Sequence, residues 1–220
     1  MGYALNFSAV WRSFDLLLEG LALSLGLALA AILAGCIIGL FVAFALVSKA
    51  ALLRSPAQIY VTIIRNTPIL VLVLFTFFAM PQLGLRLGKI ESFIVTLAVY
   101  SGAYLAEVFR GGLLSVAPGL REAGLAIGLT EAQIRTSITM PIMIRNVLPS
   151  LSSTFISLFK DTSLAAAIAV PELTFEARKI NVETFRVIET WMVTSGLYVV
   201  TCSLLAALLR LAERRLSIPR

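Results

Sequence analysis

Apolar residues along this chain gather into about five long blocks separated by shorter polar stretches. The blocks run Leu16–Val47, Ala57–Met80, Ser92–Leu114, Leu151–Val170 and Thr190–Leu211. A helix that crosses a bilayer needs about 20 mostly apolar residues. Each block meets or approaches that length, and the first exceeds it, so it is expected to tilt or protrude. The pattern predicts an all-α integral membrane protein with about five transmembrane helices, forming a single transmembrane domain over residues 1–220. The first block is too long for the apolar core of a signal peptide and lacks a small-residue cleavage site after a short core, so it reads as a retained span. Small residues recur along it at Gly26, Ala30, Ala34, Gly35 and Gly39. Such residues let helices approach closely in lipid, through ordinary helix packing or at a subunit interface.

Composition sharpens this reading. The 220 residues are 59% hydrophobic and 14% charged, too apolar a mixture for a water-exposed surface. The net charge of +6 is scattered between the blocks rather than gathered in one basic patch, so it speaks to topology and not to nucleic acid. Histidine is absent, which removes the usual general base and the commonest metal ligand; no catalytic, cofactor or metal site is expected. Cys36 and Cys202 both lie in apolar blocks and read as buried thiols.

Five spans put the termini on opposite sides. One side then holds Lys49, Arg54, Arg110, Arg121, Arg135, Arg145, Arg210, Arg214, Arg215 and Arg220. The other holds Arg12, Arg86, Lys89, Arg178, Lys179 and Arg186, crowded by Asp15, Glu19, Glu91, Glu172, Glu176, Glu183 and Glu189. By the positive-inside rule the first side is cytoplasmic. The N-terminus is expected outside, the C-terminus inside, and the long stretch Ser115–Ser150 in the cytoplasm.

That stretch carries its own helix signals. Pro118 can open a helix, with Leu120, Ala123, Gly124 and Ile127 forming an apolar, small-residue stripe at helical spacing. Gly128 falls where a left-handed C-terminal cap belongs. Thr130 with Gln133 makes a capping box, Pro141 is expected to limit the second helix, and Pro149 to mark entry into the next span. Glu122 falls in the first turn or two, where the helix dipole favours negative charge. Two short helices joined at Gly128 suit insertion into a groove on another protein; an amphipathic segment on the membrane surface is the other reading.

Several polar side chains fall inside apolar blocks, where a charge normally has a partner or faces water. Arg65 precedes Pro68, whose ring frees a backbone carbonyl; Arg65 either satisfies such freed groups or lines a path through the protein. Glu107 and Arg110 share a helix face, as an intrahelical pair or with Glu107 facing a central cavity. Lys160 and Asp161 are neighbours and point apart, and Thr162 and Ser163 continue the polar patch. They serve structural pairing or gating, or they offer donors and acceptors to a zwitterionic amino acid.

The segment Glu122-Ala123-Gly124, followed by Gly128, Ile138 and Pro141, resembles the EAA loop of bacterial ABC importer permeases. Arg65-Asn66-Thr67-Pro68, Gly102-Ala103-Tyr104 with Glu107 and Arg110-Gly111-Gly112, the run Phe155 to Leu164 containing Lys160-Asp161-Thr162-Ser163-Leu164, and Val170-Pro171-Glu172-Leu173 resemble the polar amino acid branch, of the histidine/glutamine type. The likeness covers most of the chain from about Glu19 to Arg215. Gly124 departs from it, standing where Ala is usual; Asn66 replaces Gly; and Met140-Pro141-Ile142-Met143 replaces Leu-Pro-Gln-Ala.

The resemblance implies a type I ABC importer fold and a place in the bacterial inner membrane, as the permease subunit of an ATP-driven amino acid importer. It implies that Glu122, Ala123 and Gly128 belong to a coupling helix, and it leaves Arg65, Glu107, Lys160, Asp161, Thr162 and Ser163 as candidates for the translocation path or gate. It also implies partners: a second permease, identical or homologous, two cytoplasmic ATPase subunits that bind ATP and Mg, and an extracytoplasmic solute-binding protein. The chain lacks a Gly-rich phosphate loop ending in Gly-Lys-Ser or Gly-Lys-Thr, so it is not expected to be an enzyme. The alternatives are a carrier driven by an ion gradient, which would be expected to show internal repeats, and a non-transporting membrane assembly protein.

Overall fold

The structure, a computed structural model, describes residues 3–216; Arg220, counted above among the cytoplasmic charges, lies outside them. The described residues are helical, without strands. The elements are α1 (Ser8–Arg12), α2 (Phe14–Leu46), α3 (Ala51–Arg65), α4 (Ile69–Leu74), α5 (Lys89–Leu114), α6 (Pro118–Ala126), α7 (Glu131–Ile134), α8 (Met140–Asp161), α9 (Leu173–Thr184) and α10 (Val187–Leu216). Four helical runs are long and apolar enough to cross a membrane: Phe14–Leu46, Lys89–Leu114, Glu131–Ile168 and Val187–Arg215; a broken pair, Ala51–Arg65 with Ile69–Leu83, makes up to five. At 1.5 Å per residue the 33-residue α2 is about 50 Å long, well beyond a hydrocarbon core of about 30 Å.

Two of the five expected spans take a different form. The block Ala57–Met80 is not one helix: α3 stops at Arg65 and helix resumes at Ile69. Pro68 supplies no N–H and disfavours helical backbone at Thr67. Asn66 closes the end of α3, its backbone and side-chain nitrogens both donating to the Thr62 carbonyl, at 3.2 and 2.7 Å. The block Leu151–Val170 begins too late, because helix runs from Glu131 through a π-helical turn, Arg135–Thr139, into α8. Pro141 therefore sits in the first turn of α8 rather than ending a helix, and Pro149 lies inside α8 rather than at an entry. The wider π turn precedes Pro141, as another π turn, Phe75–Ala79, precedes Pro81. Such turns absorb the register change a proline imposes. Beyond Asp161 the winding tightens to a 3-10 turn, Thr162–Ile168, that ends at left-handed Ala169 (φ 56°).

The chain forms two compact units. One contains the chain up to Leu33, Thr67–Ala98 and Phe155–Leu205. Its core joins Val10 and Leu17 to Leu173, Ala177 and Ile180 of α9. Gly20 of α2 lies against the start of α9, where a Cβ would stand 2.9 Å from the backbone of Glu172 and Leu173. Lys89 donates to the Ala169 carbonyl (2.7 Å) and ties the start of α5 to the left-handed turn. The other unit contains Ala34–Asn66, Val99–Thr154 and the chain from Ala206 onward. Here Leu46, Ala57, Val61 and Ala106 form the core. The small residues noted in α2 serve packing within the chain at Gly39, where a Cβ would lie 2.8 Å from Leu105 and 3.0 Å from backbone atoms of α5.

Glu172 is fully buried and caps α9, accepting from the Thr174 and Phe175 amides at 2.9 Å each. The Ser24 and Tyr198 hydroxyls reach its carboxylate at 3.4 Å. Burial pushes the carboxyl up to about 7 from an ordinary 4.5, against the pull of those donors. A raised folded-state value means that its stabilising contribution is present below about 4.5 and is lost as pH rises through about 7. The thermal unfolding midpoint should fall between mildly acidic and mildly alkaline pH, and Glu172→Gln should flatten that fall. Equal slopes in the two proteins would show that Glu172 does not set it.

Candidate functional site

The stretch Ser115–Ser150 folds as its sequence signals direct up to Ile134 and differently beyond it. Pro118 occupies the first turn of α6. Gly128 is left-handed (φ 84°), with Leu129 N–H donating to the Gly124 carbonyl (3.0 Å) and Gly128 N–H to that of Leu125 (3.0 Å). Those two bonds are a Schellman cap. Thr130 and Gln133 form the reciprocal capping box that opens α7. The second arm is not a short helix, however: it is the beginning of the long Glu131–Ile168 run. The segment is thus one short helix, α6, hinged by a tight turn onto the end of a span candidate.

Packing fixes how α6 lies. Gly124 is buried against Ile134, and a Cβ there would approach the Ile134 side chain to 2.9 Å. A larger residue at 124 would have to displace the Ile134 side chain. Arg121 of α6 pairs with Glu131 of α7 across the turn. Both side chains are more than half exposed, so the clasp orients α6 and adds little stability. The spacing of this pair has no meaning until the Gly128 turn is known.

The apolar stripe on α6 faces outward. Gly124 is its buried member; Leu120, Ala123 and Ile127 are exposed, Ile127 by 77%. Leu125 is exposed as well. Glu122 is exposed beside them and has no hydrogen bond or ion pair among the described residues. It is the fifth residue of α6, past the first turn, which contains no acidic side chain. Glu122 lies within the first two turns, as its sequence position indicates, but the helix dipole contributes little there because its effect fades within one turn.

The polar residues of the apolar blocks fall into two groups. In the second unit, the Arg65 guanidinium lies 5.2 Å from the centre of the Tyr104 ring, a cation–π contact. The side chain that donates to a carbonyl in the last turn of α3 is that of Asn66, to Thr62. Three residues beyond Tyr104 on α5, Glu107 accepts from Arg110 Nε (3.0 Å) and Nη2 (2.7 Å), so the intrahelical pair forms. In the first unit, Lys160 and Asp161 end α8. Lys160 is exposed and Asp161 half-buried, and neither makes a hydrogen bond or ion pair among the described residues. Thr162 is buried and donates to the Phe159 carbonyl (2.6 Å) where α8 passes into the 3-10 turn; Ser163 is half-buried beside it. Among the described residues no group of three or more His, Cys, Asp or Glu side chains is placed to hold a metal ion.

Residues 16–218 match the family described as the binding-protein-dependent transport system inner membrane component. The chain is 36% identical over 215 residues to the glutamine transport system permease protein GlnP of Escherichia coli (strain K12), covering 97% of this chain and 98% of that one. It is 34% identical over 218 residues to the L-cystine transport system permease protein TcyB of Bacillus subtilis (strain 168), covering 98% and 93%. Among solved structures, an amino acid ABC transporter crystallised with histidines superposes with a TM-score of 0.90 at 31% identity, covering 97% of this chain and 100% of that one. The inward-facing MetNI methionine ABC transporter shares the fold, with a TM-score of 0.80 at 22% identity, covering 94% and 99%.

A Cβ at Gly128 would meet nothing within 4 Å, so the constraint on that residue is its left-handed backbone alone. Gly128→Asn should be tolerated. Gly128→Val should strain the turn by about 1–2 kcal/mol and free α6, seen as faster proteolysis within 118–130 in otherwise folded protein. Equal cleavage rates in the two variants would contradict a rigid turn.

Proposed function

The chain belongs to the family of binding-protein-dependent transport system inner membrane components, and on that premise we propose the roles its residues take in a permease subunit of an ATP-driven importer for polar amino acids. The match runs through nearly the whole chain, and relatives named for glutamine and for cystine support the substrate class. ATP hydrolysis belongs to a separate subunit, so this chain is not itself an enzyme. A permease of this family works with ATPase subunits, a substrate-binding protein and a second permease. In our reading the second permease is a copy or a homologue, two cytoplasmic ATPase subunits bind ATP and Mg, and the binding protein delivers substrate outside. This places the chain in the bacterial inner membrane with its N-terminus outside and its C-terminus and α6 in the cytoplasm, as the Lys and Arg bias favours.

One observation carries the coupling role: α6 turns apolar side chains and an unpaired carboxylate outward while its glycine face and the Gly128 turn fix it to the start of a span candidate. Glu122 and Ala123 then meet the ATPase, and Gly128 sets the angle at which motion passes into α8. A rigid hinge transmits displacement where a flexible loop would absorb it. Closure of the ATPase pair draws α6 with it, and α8 carries the movement toward Lys160 and Asp161.

Along the path, Lys160 and Asp161 are the better candidates for gating or substrate contact, because their charges are not already spent on partners within the described chain. A zwitterionic amino acid presents a carboxylate to the ammonium of Lys160 and an ammonium to the carboxylate of Asp161. Ser163 adds a hydroxyl, and Thr162 holds the helix end. Glu107, bound to Arg110, and Arg65, held over Tyr104, shape the path wall and act on substrate only after exchanging partners.

Glu122→Arg tests the coupling role. Like charge set against a docking surface costs several kcal/mol, more than tenfold in affinity. The variant complex should lose its ATPase subunits on purification, or keep them with hydrolysis no longer stimulated by the binding protein in lipid vesicles. A solvated carboxylate with no partner would leave both at wild-type levels, and that result would remove Glu122 from the contact.

A further inference from the structure

Just beyond the apolar span of α2, the turn into α3 and the π turn after α7 border an open pocket of about 580 Å³. Its walls include Phe41, Phe44, Val47 and Leu53, and its polar groups include Lys49 and Arg135. Both cations are exposed and make no ion pair among the described residues. The carboxylate near Arg135, Glu131, is already bound to Arg121. Arg135 is held on the cavity wall by Phe44, with its guanidinium 5.3 Å from the ring centre. The apolar wall continues along α2: Ile37 and Phe41, one turn apart, are 61% and 72% exposed on a helix long and apolar enough to span a bilayer.

Two uncompensated cations, an apolar wall and a position at the end of a span together define a ligand with a phosphate at one end and hydrocarbon at the other. We propose that this cavity binds an anionic phospholipid, its headgroup phosphate between Lys49 and Arg135 and an acyl chain along Phe41 and Ile37. Ammonium and guanidinium groups both take phosphate oxygens in charge-assisted hydrogen bonds. Basic pockets at the ends of transmembrane helices select anionic headgroups in this way. A zwitterionic lipid would bring a cation into a site that is already positive. The volume suits a headgroup, since pockets for small ligands run about 300–1,000 Å³. The proposal rests on the membrane-spanning reading and does not depend on α6 docking to an ATPase.

The test uses the intact transporter complex in discs of phosphatidylcholine containing a minor fraction of phosphatidylglycerol, with retained lipid counted by native mass spectrometry. Wild type should retain phosphatidylglycerol, and Lys49→Gln with Arg135→Gln should cut retention about tenfold or more, each cation near an anionic surface being worth several-fold. Lys49→Gln alone, in a turn outside the helices, should give several-fold loss and covers the case in which the double variant does not fold. Arg12→Gln with Arg86→Gln removes the same charge elsewhere and should leave retention unchanged. Equal loss in both double variants would overturn the proposal. So would displacement of the lipid by inorganic phosphate alone, which would mark a free-anion site. Unchanged lipid with loss of the ATPase subunits from the Lys49 and Arg135 variant would assign the cavity to a protein partner instead.

Discussion

Hydrocarbon offers the peptide backbone no hydrogen bonds, so a helix that stops or bends inside the membrane must supply partners of its own, and the breaks outside it carry local caps as well. Each break carries a recognisable device. At Pro68 the Asn66 side chain takes the Thr62 carbonyl. At Pro81 and Pro141 a π turn precedes the proline. At Gly128 a Schellman cap and a capping box close one helix and open the next. At Ala169 the Lys89 ammonium covers a carbonyl left by the left-handed turn. The positions of the functional candidates follow, because they sit beside these breaks: Arg65 before Pro68, Glu122 before Gly128, Lys160 and Asp161 before the 3-10 turn.

The same economy explains why α6 looks as it does. A nine-residue helix is too short to be stable alone and is held by a few contacts on one side: Gly124 against Ile134, the Gly128 turn and the Arg121–Glu131 clasp. Its other side is left apolar and exposed. An isolated soluble protein would bury or replace such a surface, whereas a subunit of a larger complex keeps it for a partner. In the proposed reading, rigidity at the turn and openness of the face together make this short helix a mechanical link.

Much of this was legible in the residues. Apolar block length located three spans closely, since α2, α5 and α10 are uninterrupted. Pro118, Gly128 and the Thr130–Gln133 pair specified their local structure because caps and turns depend on a few neighbouring atoms. The errors came from prolines. Pro68 lies in a block that reads as one span and separates two helices, α3 and α4; Pro141 and Pro149 read as boundaries and are carried within a continuous run. Whether a proline ends a helix depends on what takes the orphaned carbonyl or rewinds the preceding turn, and that is settled by tertiary neighbours. The outward direction of the Leu120–Ala123–Ile127 face was equally hidden, because an apolar stripe has the same periodicity whether it meets its own chain or another.

The central claim is that α6 is the point at which an ATPase subunit grips this membrane chain. The direct measurement places one cysteine at Ala123, with Cys36 and Cys202 replaced, and treats the assembled transporter in vesicles with a short bifunctional thiol reagent against a cysteine on the ATPase groove. The account requires a cross-link between the two subunits, with amino acid uptake lost on cross-linking and restored on cleavage. A cysteine at 123 that fails to cross-link, and is labelled by an impermeant reagent from the same face as a cysteine at Lys89, would contradict it.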